Sequence, residues 1–501
     1  MHPFARSQFC IALVALGGAL AHAAQQLEMT TPIPSEINTP ATVETAIGPL
    51  KFPNGFPADD TVKRVYDHLD RQRAIEVFLN LLPAASLAAM RKGLREVGAV
   101  DGAIGIWEEP LDPRSLLLTG SSDSVYAMSW LDTGKGPLVI ESPPRVSGGV
   151  DDFWFRRVGD LGANGPDRGQ GGKFLLLPPG YDGAVPSGFF VLRSSTYNNW
   201  LIWRAVADGG DAKTEVANIK RHARVYLLSD TGSAPPEKFI NLSDRAINTV
   251  PANDATFYDE LNEVIQAEAP QSFSPDILGM AASIGLKHGQ TFAPDARMQK
   301  ILGEAAAIGN ATARAISFAP RDPDAALYPD SHWRRGFLDS SQDWLRDGYR
   351  YLDARTGFFY AATVDTPALA TAQPGTGSQY AVAMRDDKDQ WLDGDRHYRL
   401  RLAADVPAKD FWSLAIYDPQ TRSLLQTDQR APGVNGRESK LAKNPDGSLD
   451  IYFGPKAAPG KEQNWIQTLP GKGWFAVFRL YGPLQPWLDK SWKLEDIERL
   501  D

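Results

Sequence analysis

The stretch Trp474-Phe-Ala-Val-Phe-Arg-Leu-Tyr481 determines the fold class, because its side chains alternate between two faces as in a β-strand. On one face Phe475 and Val477 are followed by Arg479, and the even-numbered residues on the other face are all apolar. If both faces are covered, the Arg479 guanidinium must meet a carboxylate, solvent at the strand end or a ligand. Arg479 is therefore either structural, in an ion pair or snorkelling to the strand end, or a binding group.

Comparable strand patterns occur in two series, one in each half of the chain. The first series occupies residues 124–130, 137–141, 153–155, 173–177, 188–193 and 224–228. The second series occupies residues 398–402, 411–417, 449–453 and 474–481. Short strands at regular spacing, separated by turn residues, are typical of β-sandwiches and barrels.

Residues 254–319, between the two series, change to helical periodicity. Phe257, Leu261 and Val264 recur on one helical face, and prolines divide the segment into three or four helices. Near the N-terminus, Asp59 or Asp60 is expected to cap a further helix, with a second helical piece after Pro83. The sequence thus predicts a mainly β fold with a helical insert.

The composition excludes several classes of protein. The chain has 501 residues, 43% of them hydrophobic and 23% charged, with a net charge of -9, as expected of a globular protein. An acidic protein does not attract phosphate backbones, so we expect no nucleic-acid partner. Beyond residue 24 the histidines are scattered without an HExxH pattern, and the single cysteine is Cys10. We therefore predict no metal site and no cofactor.

The first 24 residues have the features of a secretory signal peptide. Arg6 gives a positive start, an apolar run follows, and Ala21-His22-Ala23 matches the small-x-small pattern of a cleavage site. Cleavage near Ala24 would leave a mature chain without cysteine. No later stretch is long and apolar enough to span a bilayer, so we expect no membrane anchor after signal removal.

Motifs of the common enzyme classes are missing from the sequence. The glycine-rich loop before Lys173 lacks the Ser or Thr that a P-loop places after its lysine, because Phe174 stands there. The chain contains no G-x-S-x-G nucleophile elbow and no S-x-x-K pair. A catalytic triad assembled from residues that are distant in the sequence remains an alternative.

Several ordered motifs carry a family resemblance. They are Thr119-Gly-Ser-Ser-Asp-Ser-Val-Tyr126, residues 165–181, Arg193-Ser-Ser-Thr-Tyr-Asn-Asn-Trp200, residues 292–298, residues 411–418, Asn464-Trp465 and Arg479-Leu-Tyr-Gly-Pro483. Over roughly residues 30–500 the chain resembles bacterial exported proteins that pair domain of unknown function 1254 with domain of unknown function 1214. The resemblance implies a periplasmic or secreted bacterial protein. One departure concerns Ser121, where the family usually has Asn.

The resemblance also implies two β-sandwich domains, the second similar to a jelly roll, separated by a small helical domain. Combined with the periodicities, it divides the chain into five segments. These are the signal peptide (1–24), an extended lead-in with N-terminal helices (25–115), the N-terminal β-sandwich (116–250), the helical domain (251–345) and the C-terminal jelly-roll-like domain (346–501).

Two classes of function are compatible with these observations, and a purely structural role is a third. The first is an exported enzyme, with hydrolase as the favoured class, acting on a small or medium organic substrate at a cleft between the β domains. Its candidate catalytic residues, which supply acid, phenol and guanidinium groups, are Asp123, Tyr126, Arg479 and Tyr481. The second is a non-catalytic module for an aromatic, carbohydrate or peptide ligand.

The candidate ligand-binding residues offer aromatic faces and one further cation. They are Arg193, Tyr197, Trp200 and Trp465. In either class the expected partner is a small-molecule or oligomeric ligand, and the sequence does not define the oligomeric state.

Overall fold

A computed structural model describes residues 29–99, 102–206, 212–336, 338, 343–363 and 373–501. The predicted signal peptide, its cleavage site and Cys10 lie outside these residues. The chain divides into two compact units, residues 1–66 and residues 67–501.

The first unit contains a short antiparallel hairpin and the start of a helix. Strands β1 (Thr42–Val43) and β2 (Leu50–Lys51) pair, and helix α1 begins at Asp59. The Lys51 backbone N–H donates to the Thr61 hydroxyl over 2.8 Å, which ties the hairpin to the first turn of the helix.

Helix α1 (Asp59–Glu96) is continuous through Pro83, where the sequence predicts a break. A proline inside a helix costs about 3 kcal/mol, whereas each large apolar side chain buried nearby, such as Phe78 or Leu87, contributes about 2 kcal/mol. Tertiary packing therefore overrides the local signal. Within the described ranges α1 alone is long and apolar enough to cross a membrane, and 72% of its apolar window is buried inside the protein.

The N-terminal β region of the second unit forms two packed sheets. Its strands are β3 (Ala103–Ile106), β4 (Ser115–Leu116), β5 (Ser124–Asp132), β6 (Leu138–Ser142), β7 (Ser147–Asp152), β8 (Arg157–Gly162), β9 (Gly172–Leu177), β10 (Phe190–Arg193), β11 (Asn198–Val206), β12 (Arg224–Leu227), β13 (Lys238–Asn241) and β14 (Ile247–Asn248). One sheet has the order β13-β3-β5-β11-β7-β8 and the other β10-β9-β6-β12, whereas β14 and β4 pair separately. Val125 and Ala127 from the first and Ile140 and Phe174 from the second share one core.

Two details of this region differ from the sequence-based expectation. β3 lies before residue 116, where the sandwich was expected to begin. It was not predicted, because four residues are too few to give a periodic pattern. Residues 153–155 form a turn after β7 and not a strand. The Asp152 carboxylate accepts the backbone N–H groups of Trp154 and Arg156, and Phe155 adopts φ +61°, so local polar contacts replace strand pairing.

Besides the rest of α1, the described residues of the second unit form six α-helices, of which those between residues 254 and 319 follow the predicted periodicity. The six helices are α2 (Lys213–His222), α3 (Thr256–Ala267), α4 (Pro275–Ser283), α5 (Ala296–Phe318), α6 (Leu352–Ala361) and α7 (Gln485–Leu488). Pro275 occupies the first turn of α4, where its missing N–H removes no hydrogen bond. Asp295 caps α5 by accepting the Met298 N–H.

The C-terminal β region forms a second pair of sheets. Its strands are β15 (Trp333–Arg335), β16 (Leu345–Arg346), β17 (Tyr349–Arg350), β18 (Ser378–Ala383), β19 (Tyr398–Leu402), β20 (Ala408–Tyr417), β21 (Gly433–Asn435), β22 (Leu449–Gly454), β23 (Trp465–Gln467), β24 (Phe475–Pro483) and β25 (Glu498–Arg499). The sheets have the orders β15-β18-β24-β20-β21 and β23-β22-β19-β25, whereas β16 and β17 pair separately. Phe478 and Leu480 from the first contact Leu400 and Ile451 from the second in one core. The mainly β fold with a helical insert is confirmed.

The faces of the β5–β11 and β20–β24 sheets that point away from their own sandwiches enter a third core. We call it the shared core. It contains Met128 and Ile202 from one sheet, Phe475 and Val477 from the other, and side chains of α1, α3, α5 and α6. This arrangement explains why both faces of residues 474–481 are apolar, and it directs Arg479 into the shared core.

Candidate functional site

A cavity of about 160 Å³ lies in the shared core, where the two sheets contribute facing walls. Its lining is mainly apolar. From the sheets it includes Tyr126 and Met128 of β5, Ile202 and Arg204 of β11, Tyr380 and Val382 of β18, and Phe475, Val477 and Arg479 of β24. The end of α5 and one face of α6 complete the wall with Phe318, Ala354 and Phe358.

Arg479 is the most unusual side chain of this wall. Only 3% of it is exposed, its Nη2 donates to the Thr119 carbonyl over 2.7 Å, and its Nη1 has no hydrogen-bond partner among the described residues. The guanidinium lies 5.7 Å from the Tyr380 ring centre and 5.4 Å from that of Tyr417. Thr119 presents its carbonyl from φ +41°, an uncommon conformation for a β-branched residue.

A second arginine, Arg204, reaches the same end of the cavity from the opposite sheet. Its guanidinium lies 5.8 Å from the ring centre of Tyr481. Neither Arg204 nor Arg479 forms an ion pair with an acid in the described part of the chain. The two guanidiniums and the surrounding phenols form what we call the arginine end of the cavity.

The tyrosines at this end are hydrogen-bond donors at neutral pH. Burial raises the pKa of Tyr481 to about 12, although Arg479 opposes the shift, and burial also raises the pKa of Tyr417. The Tyr417 hydroxyl donates to the Gly120 carbonyl over 2.8 Å. Because protonated phenols cannot accept a proton from a substrate, the raised pKa values argue against either tyrosine as a general base.

Asp123 lies behind the arginine end. One carboxylate oxygen accepts the Asn435 amide over 2.9 Å, and the other lies 3.4 Å from the Ser121 hydroxyl. Ser121 in turn lies 3.2 Å from the Tyr481 hydroxyl. Burial raises the pKa of Asp123, and the charge of Arg479 partly opposes this. Asp123 lines a separate cavity of about 230 Å³, and no ion pair joins it to Arg479 among the described residues.

Two family matches correspond to the two walls of the site. Residues 102–227 match the family described as "Protein of unknown function (DUF1254)", and residues 377–485 match "Protein of unknown function (DUF1214)". The chain therefore contains one region similar to each of these families, in that order. The order expected from the resemblance is confirmed, and the DUF1254 region supplies Tyr126 and Arg204 whereas the DUF1214 region supplies Tyr380 and Arg479.

One solved structure shares the fold, and a second was found at a lower TM-score. The crystal structure of the VPA0106 protein from Vibrio parahaemolyticus is 19% identical, with a TM-score of 0.52 over 86% of this chain and 100% of that chain. An uncharacterized protein from Burkholderia cenocepacia is 14% identical, with a TM-score of 0.38 over 85% of this chain and 95% of that chain. No curated protein matches the chain.

The four candidate catalytic residues lie close together in the structure. Tyr126 and Arg479 line the cavity, and Tyr481 and Asp123 are linked to it through Ser121. The four candidate ligand-binding residues are dispersed and do not line the cavity. Arg193 is exposed on β10 and Tyr197 is 38% exposed, whereas Trp200 is fully buried and Trp465 donates to the Gly454 carbonyl over 2.9 Å.

The motif that contains Arg193 and Trp200 has a structural role in the DUF1254 region. The Glu268 carboxylate, at the end of α3, accepts the backbone N–H groups of Tyr197 and Asn198 over 2.7 and 2.9 Å and the Asn198 amide over 2.9 Å. Only 1% of Glu268 is exposed, and burial raises the pKa of its carboxyl. The turn before β11 is therefore held by a buried acid from the helical insert.

Arg204 and Tyr380 are two residues at the arginine end of the cavity that were not predicted from the sequence. The signal for Arg204 equals that for Arg479, since a single arginine follows Trp200 and Ile202 on one strand face. Tyr380 carries no such signal, because a tyrosine in a strand is common. In the parts of the chain that the structure describes, no three His, Cys, Asp or Glu side chains are grouped to hold a metal ion.

Proposed function

We propose that this protein binds a small organic anion, whose carboxylate pairs with Arg479 and Arg204 and whose apolar body fills the cavity. The single observation that carries the proposal is the buried Nη1 of Arg479, which faces an apolar cavity without a hydrogen-bond partner among the described residues. A buried charge without an opposite charge costs several kcal/mol, so an anionic ligand is the natural partner.

Elimination supports the same assignment. The sequence left three partners open for Arg479: a carboxylate, solvent at the strand end or a ligand. Solvent does not reach it, because only 3% of the side chain is exposed. Asp123 is the acid whose charge interacts with Arg479, and both of its oxygens face other groups. Of the three partners considered for Arg479, only a ligand is left.

The cavity volume limits the ligand's apolar part. An engineered protein cavity of about 150 Å³ with an apolar lining binds benzene, and the cavity here has about 160 Å³. A single ring or a short aliphatic chain fits this space. The proposed ligands are therefore monocyclic aromatic carboxylates and short- to medium-chain fatty acids.

Hydrolysis is the second candidate function, and one contact favours it. Ser121 lines the cavity and its hydroxyl lies 3.4 Å from the Asp123 carboxylate, whose raised pKa would suit a general base. This distance exceeds that of an ordinary O–H···O hydrogen bond, about 2.5–3.0 Å, so binding without turnover is the better-supported function.

Calorimetric titration with charged and neutral ligands of equal shape tests the proposal. We expect benzoate, phenylacetate or octanoate to bind, and the corresponding amide to bind at least about tenfold more weakly, because it cannot neutralise Arg479. Equal affinity of acid and amide, or no binding by any carboxylate of the panel, would contradict the proposal. Ser121→Ala separates the two functions, since it should preserve binding and would abolish turnover of an ester in a hydrolase.

The proposed location is the periplasm or the exterior of a bacterial cell, and it rests on residues 1–24. Expressed with its own N-terminus in a bacterium, the chain should be cleaved at Ala24 or within one or two residues of it, because alanines occupy the positions that signal peptidase recognises. Intact mass and N-terminal sequencing of the exported protein check this. An exported product that retains Met1 would exclude it.

A further inference from the structure

We propose that the ligand is an anion at both ends, and that its second anionic group binds Arg334 at the far end of the same cavity. This inference rests on the proposed anion site at Arg479. It adds the substrate class, namely dicarboxylates with an apolar centre.

Strand register places Arg334 on the cavity face of the sheet. Arg334 is paired with Val382 on β18, and Val382 is paired with Val477 on β24. Paired residues share one face of a sheet, and Val477 lies on the same face as Arg479. Arg334 is thus two strands across and two residues along from Arg479. With a strand spacing of about 4.8 Å and a rise of about 3.4 Å per residue, the two Cα atoms are about 12 Å apart.

Arg334 lines both the main cavity and a neighbouring one of about 230 Å³, which we call the vestibule. The two cavities also share Phe318, Pro320 and Met384, so they are adjacent compartments with a common wall. Arg334 stands in this wall, partly exposed.

The vestibule is positively charged around Arg334. Its cations are Arg334 and Arg385, His332 lies beside them, and its one acid in the described lining is Asp389. Asp389 lies 3.4 Å from Arg385 and 3.5 Å from His332, and Arg385 stacks on Trp391 with its guanidinium carbon 3.9 Å from the ring centre. In the described part of the chain Arg334 forms no ion pair, so it is the cation still available to a ligand.

Both ends of the cavity are therefore complementary to an anionic group, and the wall between them is complementary to an apolar one. Arg479 with Arg204 defines one anion position and Arg334 the other. Val382, Val477 and the rings of Phe318 and Phe475 lie between and around them. A molecule with a carboxylate at each end of an apolar chain or ring is complementary to this arrangement.

The decisive comparison is suberate against octanoate, which have the same chain length and differ by one carboxylate. In the wild-type protein we expect suberate to bind at least about tenfold more tightly, the usual scale for one added charge-assisted contact. Arg334→Gln should remove this preference and leave the octanoate affinity unchanged. Arg334→Lys should retain part of it, and adipate and sebacate bracket the best length.

Arg193→Gln is the matched control, because it removes an exposed strand arginine that lines none of these cavities. It should change neither affinity. Equal binding of suberate and octanoate to the wild type, or a suberate preference that survives Arg334→Gln, would overturn the inference. So would an Arg334→Gln effect confined to the association rate, which would indicate electrostatic steering only. Failure of octanoate, benzoate and phenylacetate alike to bind would instead reject the underlying anion site.

Discussion

Arg479→Met is expected to abolish carboxylate binding and, in the absence of ligand, to make the protein more stable. The affinity for octanoate or benzoate should fall by roughly a hundredfold or more, since truncating one partner of a buried charge pair costs about 2–5 kcal/mol. The free energy of unfolding should rise by about 1–3 kcal/mol, because an apolar side chain of similar length replaces a buried charge that lacks an ion-pair partner.

The opposite signs of the two effects separate a binding arginine from a structural one. If Arg479 stabilised the fold, its replacement would lower the free energy of unfolding by about 3–5 kcal/mol. Denaturant unfolding without ligand and calorimetric titration with octanoate measure both quantities on the same samples. A loss of stability together with unchanged affinity would refute the assignment.

Arg479→Lys and Arg193→Gln serve as controls. Lysine retains the charge but not the planar fork, so Arg479→Lys should bind octanoate with intermediate affinity. Arg193 is exposed on β10, so Arg193→Gln should leave affinity and stability unchanged within about 0.5 kcal/mol.

Glu268→Ala is expected to destabilise the fold by about 3–5 kcal/mol, because it leaves buried N–H donors of Tyr197 and Asn198 without an acceptor. The contact joins the end of α3 to the turn before β11, so its loss affects the packing of the helical insert on the DUF1254 region. Chemical denaturation followed by tryptophan fluorescence measures the change.

Glu268→Gln and Asp259→Ala test whether the loss of stability comes from the buried Glu268 contact. Glutamine preserves one acceptor oxygen and should cost about 1–2 kcal/mol. Asp259 is an exposed acid in the first turn of the same helix, and its removal should cost less than about 1 kcal/mol. If all three variants lost similar stability, the buried contact would not be the cause.

Much of the candidate site could be anticipated from short-range patterns. The period of two in residues 474–481 identified a covered strand and marked Arg479 as a residue without an obvious partner. The same pattern places Arg204 near the end of β11, but Arg204 was not among the residues predicted from the sequence. The aromatic residues Tyr197, Trp200 and Trp465 gave a weaker signal, because a ring in a β protein packs in the core as readily as it stacks on a ligand.

Periodicity and turn chemistry therefore determined, from the sequence by itself, the mainly β class, the helical insert at α3 to α5 and the exceptional character of Arg479. These features depend on neighbours within a few residues, whose spacing the sequence displays directly. Only the tertiary structure decided that α1 continues through Pro83, that Glu268 holds the turn before β11, and that Arg204 and Arg479 meet at one cavity. Each of these features depends on which segments, distant in the sequence, pack against each other and exclude water. No local sequence pattern encodes that packing.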